Sequence, residues 1–509
     1  MGFVITSGGR SLAHEDYLEA GARAATGFAA AGLAEGDAVA LLLRNDIAML
    51  VAMQGAGLAG CYAVPINWHN APEETGYVLA DADAGLLVAH ADLLAGLDGF
   101  IPQDCRVLVV ETPPEIGDAY AVPPEARRLP PGATDWSQWL SGHAPRTAAP
   151  APSRGSMIYT SGTTGRPKGV RRAPANEAQQ QEFLRMAMRG FGIRQGCTAL
   201  MTGPMYHSAP SAYARVVLGV GGNLHLMPRF DAEGLLALIE KLRVTHMHMV
   251  PTMFHRLLAL PEEVRRRYDV SSLEFVIHGA APCPAESKRR MLEWWGPVIY
   301  EYYGSTELGL VTQATPADAL AKPGSVGRVW PEHQVRILDD EGRPLPPGQE
   351  GEVYMSIAML TDFTYNRRDD ARAEIERDGF LTNGDVGYLD EDGYLFLCDR
   401  KRDMVISGGV NVYPAEIEAV LSTMPGIADC AVFGIPDEQY GEAVAAAILP
   451  AAGAELTEAG VRAFLAPHLA GYKLPRLVTF HAELPREDSG KIFKRKLREP
   501  YWAGRGRRI

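Results

Sequence analysis

Tyr159-Thr-Ser-Gly-Thr-Thr-Gly-Arg-Pro-Lys-Gly-Val170 is the stretch on which the reading of this chain turns. The residues Ser156-Met-Ile-Tyr-Thr160 read as a short strand, so the run of glycines and hydroxyls leaves a strand end, where backbone N–H groups converge on an anion. Gly162, Gly165 and Gly169 let the main chain approach a ligand closely. Thr160, Ser161, Thr163 and Thr164 offer hydroxyl donors, and Lys168 offers a point charge. This is the composition of a phosphate cradle, although an ordinary surface loop also draws on Gly, Ser, Thr and Pro. It is not the common P-loop, which needs Gly directly before Lys and Ser or Thr after it; here Pro167 precedes Lys168 and Gly169 follows.

The twelve-residue string resembles the signature loop of the adenylate-forming superfamily: acyl-CoA synthetases, peptide-synthetase adenylation domains and beetle luciferases. Other stretches similar to that superfamily's stations follow in order. Gly203-Pro-Met-Tyr-His-Ser-Ala-Pro210 resembles the station that sets an aromatic residue, here His207, against the acyl carboxylate. His278-Gly-Ala-Ala-Pro282 resembles the adenine-side loop, with Gly279 and Ala280 at a strand end. In Tyr302-Tyr-Gly-Ser-Thr-Glu307 the resemblance assigns Tyr302 and Tyr303 to the ATP site, with Tyr303 stacked on adenine, Thr306 on the α-phosphate and Glu307 on Mg²⁺. Aromatic faces suit a purine, and a hard divalent cation suits carboxylate plus phosphate oxygens.

Asp385, in Thr382-Asn-Gly-Asp-Val-Gly387, resembles the residue that holds both ribose hydroxyls, with Asn383 standing where relatives usually carry Thr. Arg400 matches a ribose or phosphate contact, and the resemblance puts Arg402 at the interdomain hinge, where relatives more often carry Asp or Lys. Gly408 and Gly409 resemble the passage for the pantetheine arm of CoA. Pro485-Arg-Glu-Asp-Ser-Gly-Lys-Ile492 resembles the C-terminal loop whose lysine, here Lys491, reaches the adenylation site. The resemblance therefore implies a carboxylate–CoA ligase using ATP, Mg²⁺ and CoA, with Lys491, Lys168, Glu307 and His207 as its catalytic set.

By position, the acyl pocket draws on His207, Ser208, Ala209, Met249, Val250, Met253, Gly279, Gly304, Gly309 and Leu310. The set is small and apolar and holds no Lys or Arg to pair a second carboxylate, which disfavours diacids. The wording of Tyr206–Pro210 and Val405–Pro414 is most similar to ligases of fatty or bulky alicyclic, steroid-like acids, with aryl acids as the alternative. An amino-acid-activating domain would need an acidic residue in Met205–Pro210, and none is there. A luciferase-type oxygenase shares the motifs and stays open. A catalytically idle nucleotide-binding protein is the rival from another class, and Glu307 with Lys491 argues against it.

Size and composition agree with this reading. The 509 residues suffice for more than one domain, and 47% hydrophobic with 22% charged residues is ordinary for a globular protein. A net charge of −13 disfavours a nucleic-acid surface. Six scattered cysteines without a C-x-x-C pair fit a reducing cytoplasm, and no apolar run is long enough for an integral membrane segment. The expected partners are a small carboxylic acid, ATP and CoA, with a homodimer left open.

Alternation of helical and strand patterns from Tyr17 to His278 is that of a layered α/β domain. Prolines between Thr112 and Ser153 read as a loop-rich connection, and from Gly324 the texture changes to turn-punctuated short strands. His246 and His248 alternate with Met247 and Met249, so the two histidines share one strand face; without a third ligand they read as polar strand residues rather than a metal pair. The expected fold is α/β: a large multilayered N-terminal domain over 1–400, carrying the ATP and acyl sites and a loop-rich small β section, and a small mobile α+β C-terminal lid domain over 401–509 that carries the catalytic lysine.

Overall fold

Helix Ile47–Ala59 is apolar around nearly its whole circumference, so no side of it can face water, and the rest of the N-terminal fold closes over it. The Asp46 carboxylate caps its first turn through the Ile47 N–H, and Gly60, at φ 74°, ends it in the left-handed conformation that glycine adopts freely. Helix His14–Ala30 packs along it at Gly21 and Gly55, where an added methyl group on Gly55 would stand 2.5 Å from the Ala24 side chain. The computed structural model in which this is seen describes residues 2–160, 167–356, 360–400, 403–407, 410–437, 440–486 and 492–503, apart from the side chains of Arg400 and Asn411.

These helices lie between two sheets. On one side, Tyr62–Pro65, Ala38–Leu42, Ala84–His90, Arg106–Val110 and Thr134–Asp135 form a five-stranded parallel sheet. On the other, a 14-stranded sheet has a parallel centre, running Ile299–Ser305, Phe275–His278, His246–Met249, Thr198–Met201, Asn223–Leu226, Val4–Ser7. One hydrophobic cluster continues from Val39 and Leu86 through Met49 and Phe28 to Met201 and Leu224, and a second covers the far face of the large sheet with Leu235, Phe254, Leu257 and Trp295. Helices thus cover both faces, as parallel strands require.

Gly309–Ala314 and the short strands after Gly324 extend the large sheet. Gly309–Ala314, Ser325–Val329, Tyr394–Arg400, Phe380–Leu389, Gly351–Met355 and Val335–Leu338 add to it one after another by antiparallel pairing. A three-stranded sheet, Phe363–Tyr365, Lys168–Arg172, Ile158–Thr160, stands apart from it. The proline-rich connection holds two short helices as well as loops, Pro114–Ala119 and Trp136–Ser141; the Asp135 side chain caps the second, and Trp136 is buried against Phe28. Beyond residue 400, Val410–Val412, Val405–Ser407, Gly441–Pro450, Ile427–Asp437 and Leu477–Phe480 make a further five-stranded sheet with its own core around Val405, Ile417, Val432, Ile448 and Leu465.

Under the large sheet Lys288 and Glu301 form an ion pair at 2.5 Å, with side chains only 4% and 5% exposed. Lys288→Ala leaves the Glu301 carboxylate buried without its cation and is expected to cost about 3–5 kcal/mol, read as a lower urea midpoint. Replacing both members by apolar residues of similar size (Lys288→Met with Glu301→Leu) is expected to recover most of that loss.

Candidate functional site

Strands Ile158–Thr160 and Lys168–Arg172 pair antiparallel, with Thr160 opposite Lys168, so the glycine-rich loop joins the two arms of a hairpin and does not enter a helix as in a P-loop. Ser161, Gly162, Thr163 and Thr164 lie outside the described residues. Lys168, 8% exposed, holds its Nζ 5.2 Å above the Tyr365 ring. The Tyr365 hydroxyl donates to Glu307 Oε1 at 3.0 Å, so cation, ring and carboxylate form one group. Burial, then the Glu307 charge, pushes the Tyr365 hydroxyl far above its ordinary pKa and keeps it a donor.

Two residues of this group escaped the sequence reading. Tyr365 lies almost 200 positions beyond the loop, and only the pairing of Phe363–Tyr365 with Lys168–Arg172 brings it back. Arg172 closes the strand that begins at Lys168, and its guanidinium donates to the carbonyls of Thr361 (2.7 Å), Thr306 (2.6 Å) and Glu307 (2.7 Å). Burial lowers its pKa to about 10, which leaves it charged at neutral pH.

The same loop meets the acyl-side station. Thr306 Oγ1 and Ser208 Oγ are hydrogen-bonded at 2.9 Å, and Ser208 opens helix Ser208–Gly219 directly after His207. The backbone turns sharply at Gly304 and Gly309, where the pairing of Ile299–Ser305 with Gly309–Ala314 shifts register. A methyl group on Gly304 would fall 1.8 Å from the Gly309 carbonyl oxygen, and Gly309 has φ 75°, so no larger residue suits either place. In the loop expected at adenine, Gly279 lies against the Tyr302 ring, 2.6 Å from where its Cβ would stand, and Ala280 adopts φ 68°. The Tyr303 hydroxyl donates to Asp385 at 2.6 Å, joining the two residues expected at adenine and ribose. Arg400 stands opposite Asp385 on the neighbouring strand, though its side chain is not among those described. Arg402, Gly408, Gly409 and Lys491 lie outside the described residues.

The expected acyl residues divide between two cores. Leu310 belongs to the cluster of Tyr213 and Tyr302, with Ala209 packed against it, whereas Met249, Met253 and Val250 belong to the cluster of Phe254, Leu257 and Trp295 across the sheet. Strand alternation is the reason, since Met247 and Met249 take one face and His246 and His248 the other. His248 is the residue of this strand that faces Tyr302 and Tyr213, hydrogen-bonded to the Tyr302 hydroxyl at 3.0 Å, and His246 meets the Gly192 carbonyl at 2.9 Å. Burial, and next the proximity of His207, brings the His248 pKa down to about 4, so the pair is neutral at pH 7.

No group of three or more His, Cys, Asp or Glu gathers to hold a metal among the described residues. Glu307 still fits a Mg²⁺ that takes its other ligands from phosphate, because among the described residues Tyr365 engages its Oε1 and no bond is seen to its Oε2. Chemically, the arrangement offers a cation and a carboxylate for a polyphosphate, one hydroxyl contact away from the loop of His207.

A family model described as AMP-binding enzyme matches residues 3–362, and the AMP-binding enzyme C-terminal domain matches 416–491. The chain is 34% identical over 504 residues to a feruloyl-CoA synthase from an Amycolatopsis species, covering 98% of this chain and 95% of the relative. It is also 34% identical over 488 residues to the long-chain-fatty-acid–CoA ligase FadD13 of Mycobacterium tuberculosis, covering 94% and 91%. Its fold is similar to that of ATP-bound MatB from Rhodopseudomonas palustris, with a TM-score of 0.84 and 28% identity over 98% of this chain and 96% of the other.

The depressed pKa of His248 makes a pH dependence. Its folded value of about 4 lies below the 6.5 of an ordinary histidine, so the unfolded chain binds the extra proton first as pH falls. The stabilisation is complete above about pH 6.5 and is lost as pH drops toward 4, amounting to about 3 kcal/mol when fully lost. Urea unfolding of His248→Gln at a series of pH values is expected to show a correspondingly flatter decline across that window than the unsubstituted protein.

Proposed function

Because this chain belongs to the AMP-binding enzyme family and is an acid–thiol ligase, we propose that it couples a hydrophobic, uncharged carboxylic acid, fatty or bulky alicyclic and steroid-like, to CoA at the expense of ATP. The observation that carries this reading is the Thr306–Ser208 hydrogen bond, which joins the Lys168–Tyr365–Glu307 group to the loop of His207. A nucleotide phosphate held by the first and a carboxylate held by the second would meet there.

In the first half-reaction an oxygen of the substrate carboxylate attacks the α-phosphorus of ATP, pyrophosphate leaves, and an acyl-adenylate remains. In the second, the CoA thiolate attacks the acyl carbon and AMP leaves. No protein nucleophile is needed. Lys168 and Lys491 would spread the charge of the phosphoryl transition state, Thr306 would touch the α-phosphate, and His207 would position the acid. Glu307 would hold Mg²⁺, whose part is to neutralise phosphate charge. Tyr303 would lie on adenine, with Asp385 at the ribose. We place the domain boundary at 400/401 with Arg402 as hinge, Gly408 and Gly409 at the pantetheine passage, and the enzyme in the cytoplasm. Among the described residues no helix is long and apolar enough to cross a membrane. Aryl acids are the second reading, favoured by the likeness to a feruloyl-CoA synthase.

Thioester formation across a panel of acids tests this directly. A monoacid is expected to exceed the matching diacid by roughly two or more decades in kcat/KM, since a distal carboxylate would be buried without a cation. A diacid preference removes the substrate assignment. Lys491→Ala is expected to lose adenylate formation, followed as pyrophosphate release, while still passing a supplied acyl-adenylate to CoA. Gly409→Leu is expected to do the reverse, and equal loss of both half-reactions in either folded variant contradicts its assigned place.

A further inference from the structure

The backbone of the loop that carries His207 is held by a side chain 158 positions away in the sequence. Asn45 is buried; its Nδ2 donates to the Gly203 carbonyl at 2.9 Å, and its Oδ1 accepts the Met205 N–H at 2.8 Å. A backbone carbonyl only accepts and a backbone N–H only donates, so these two bonds also fix which way the amide points. They bracket Pro204, whose own carbonyl accepts the His207 N–H at 3.2 Å.

Both neighbours of Asn45 are anchored. The Arg44 N–H donates to His90 Nδ1 at 3.2 Å, while His90 Nε2 meets the fully buried Asp46 carboxylate at 3.1 Å, so one imidazole grips the chain on either side of Asn45. Asp46 is also bonded to Arg10 at 2.5 Å and caps helix Ile47–Ala59. The Arg44 guanidinium pairs with Asp92 at 2.8 Å and lies 5.1 Å over the Trp68 ring. That ring stands edge-on to Tyr206, 6.5 Å away, and Tyr206 lies 4.4 Å from the His207 ring. Arg44 thus backs the loop through its side chains while Asn45 holds its backbone.

We propose that Asn45 is a positioning residue for the acid half of the reaction, setting His207 at the carboxylate through Gly203 and Met205. This rests on the reading of His207 given above. Removing the amide leaves a buried carbonyl and a buried N–H unpaired, which frees the turn at Pro204 to shift. The nucleotide group of Lys168, Tyr365 and Glu307 is bonded elsewhere and should stay as it is.

Asn45→Ala is therefore expected to lower kcat/KM for the acid roughly tenfold to a hundredfold, with the KM for ATP changed by less than about twofold. Hydrogen–deuterium exchange at Met205 is expected to quicken by about tenfold or more, with exchange in helix Ile47–Ala59 unchanged. Asn45→Ser, which keeps one short polar group, serves if the alanine variant does not fold. Unchanged exchange at Met205, or parallel losses for acid and ATP, overturns the proposal. If the unsubstituted protein makes no thioester from any acid, the proposed function falls, and the exchange measurement still decides the role of Asn45.

Discussion

The Arg172 guanidinium is the tie on which the site depends. It is nearly surrounded by protein, and its three bonds to the carbonyls of Thr306, Glu307 and Thr361 offset the cost of taking a cation out of water. Through them the bulged end of the large sheet hangs from the small sheet that bears Lys168. The Tyr365–Glu307 bond and the Thr306–Ser208 bond both follow from that suspension. Lysine at position 172 would keep the charge but lack the planar fork that spans three carbonyls.

Charge in this protein is arranged locally against its total. A net −13 repels a polyphosphate at long range, so its binding calls for local cations, of which Lys168 is one. Around Tyr302 the polar groups described are uncharged: His248 is neutral, and its bond with Tyr302 lies within an apolar cluster. The charged group of Lys168 and Glu307 and the apolar cluster around His248 and Tyr302 thus have separate dielectric surroundings, with the Thr306–Ser208 bond between Glu307 and the loop of His207.

The site is also assembled from distant parts of the chain. Residue 45 holds residues 203 and 205, residue 172 holds 306, 307 and 361, and Asp399 accepts the Ala415 N–H at 3.0 Å, linking the last strand of the large sheet to the beginning of helix Pro414–Leu421. For the tie of Asn45 to Gly203 and Met205, crossovers between parallel strands make this possible, because each brings the chain back so that the next strand starts from the same end of the sheet.

Local chemistry in the sequence determined the elements and the kind of ligand. Strand His246–Met249, the hairpin turn at Asp339–Gly342 and the glycine-rich loop are all written in short patterns of apolar, turn-forming and hydroxyl residues, and the alternation of His246 with His248 already implied a shared face. Which face that was, and what lay across from it, had no local signal. Tertiary structure alone set Met249 and Met253 in a core across the sheet from Leu310, placed Tyr365 under Lys168, turned Arg172 toward carbonyls, and brought Asn45 to the loop of His207. The physical reason is that periodicity and turn chemistry act over a few residues, whereas burial, partner choice and pKa are set by whatever the folded chain brings within about 4 Å.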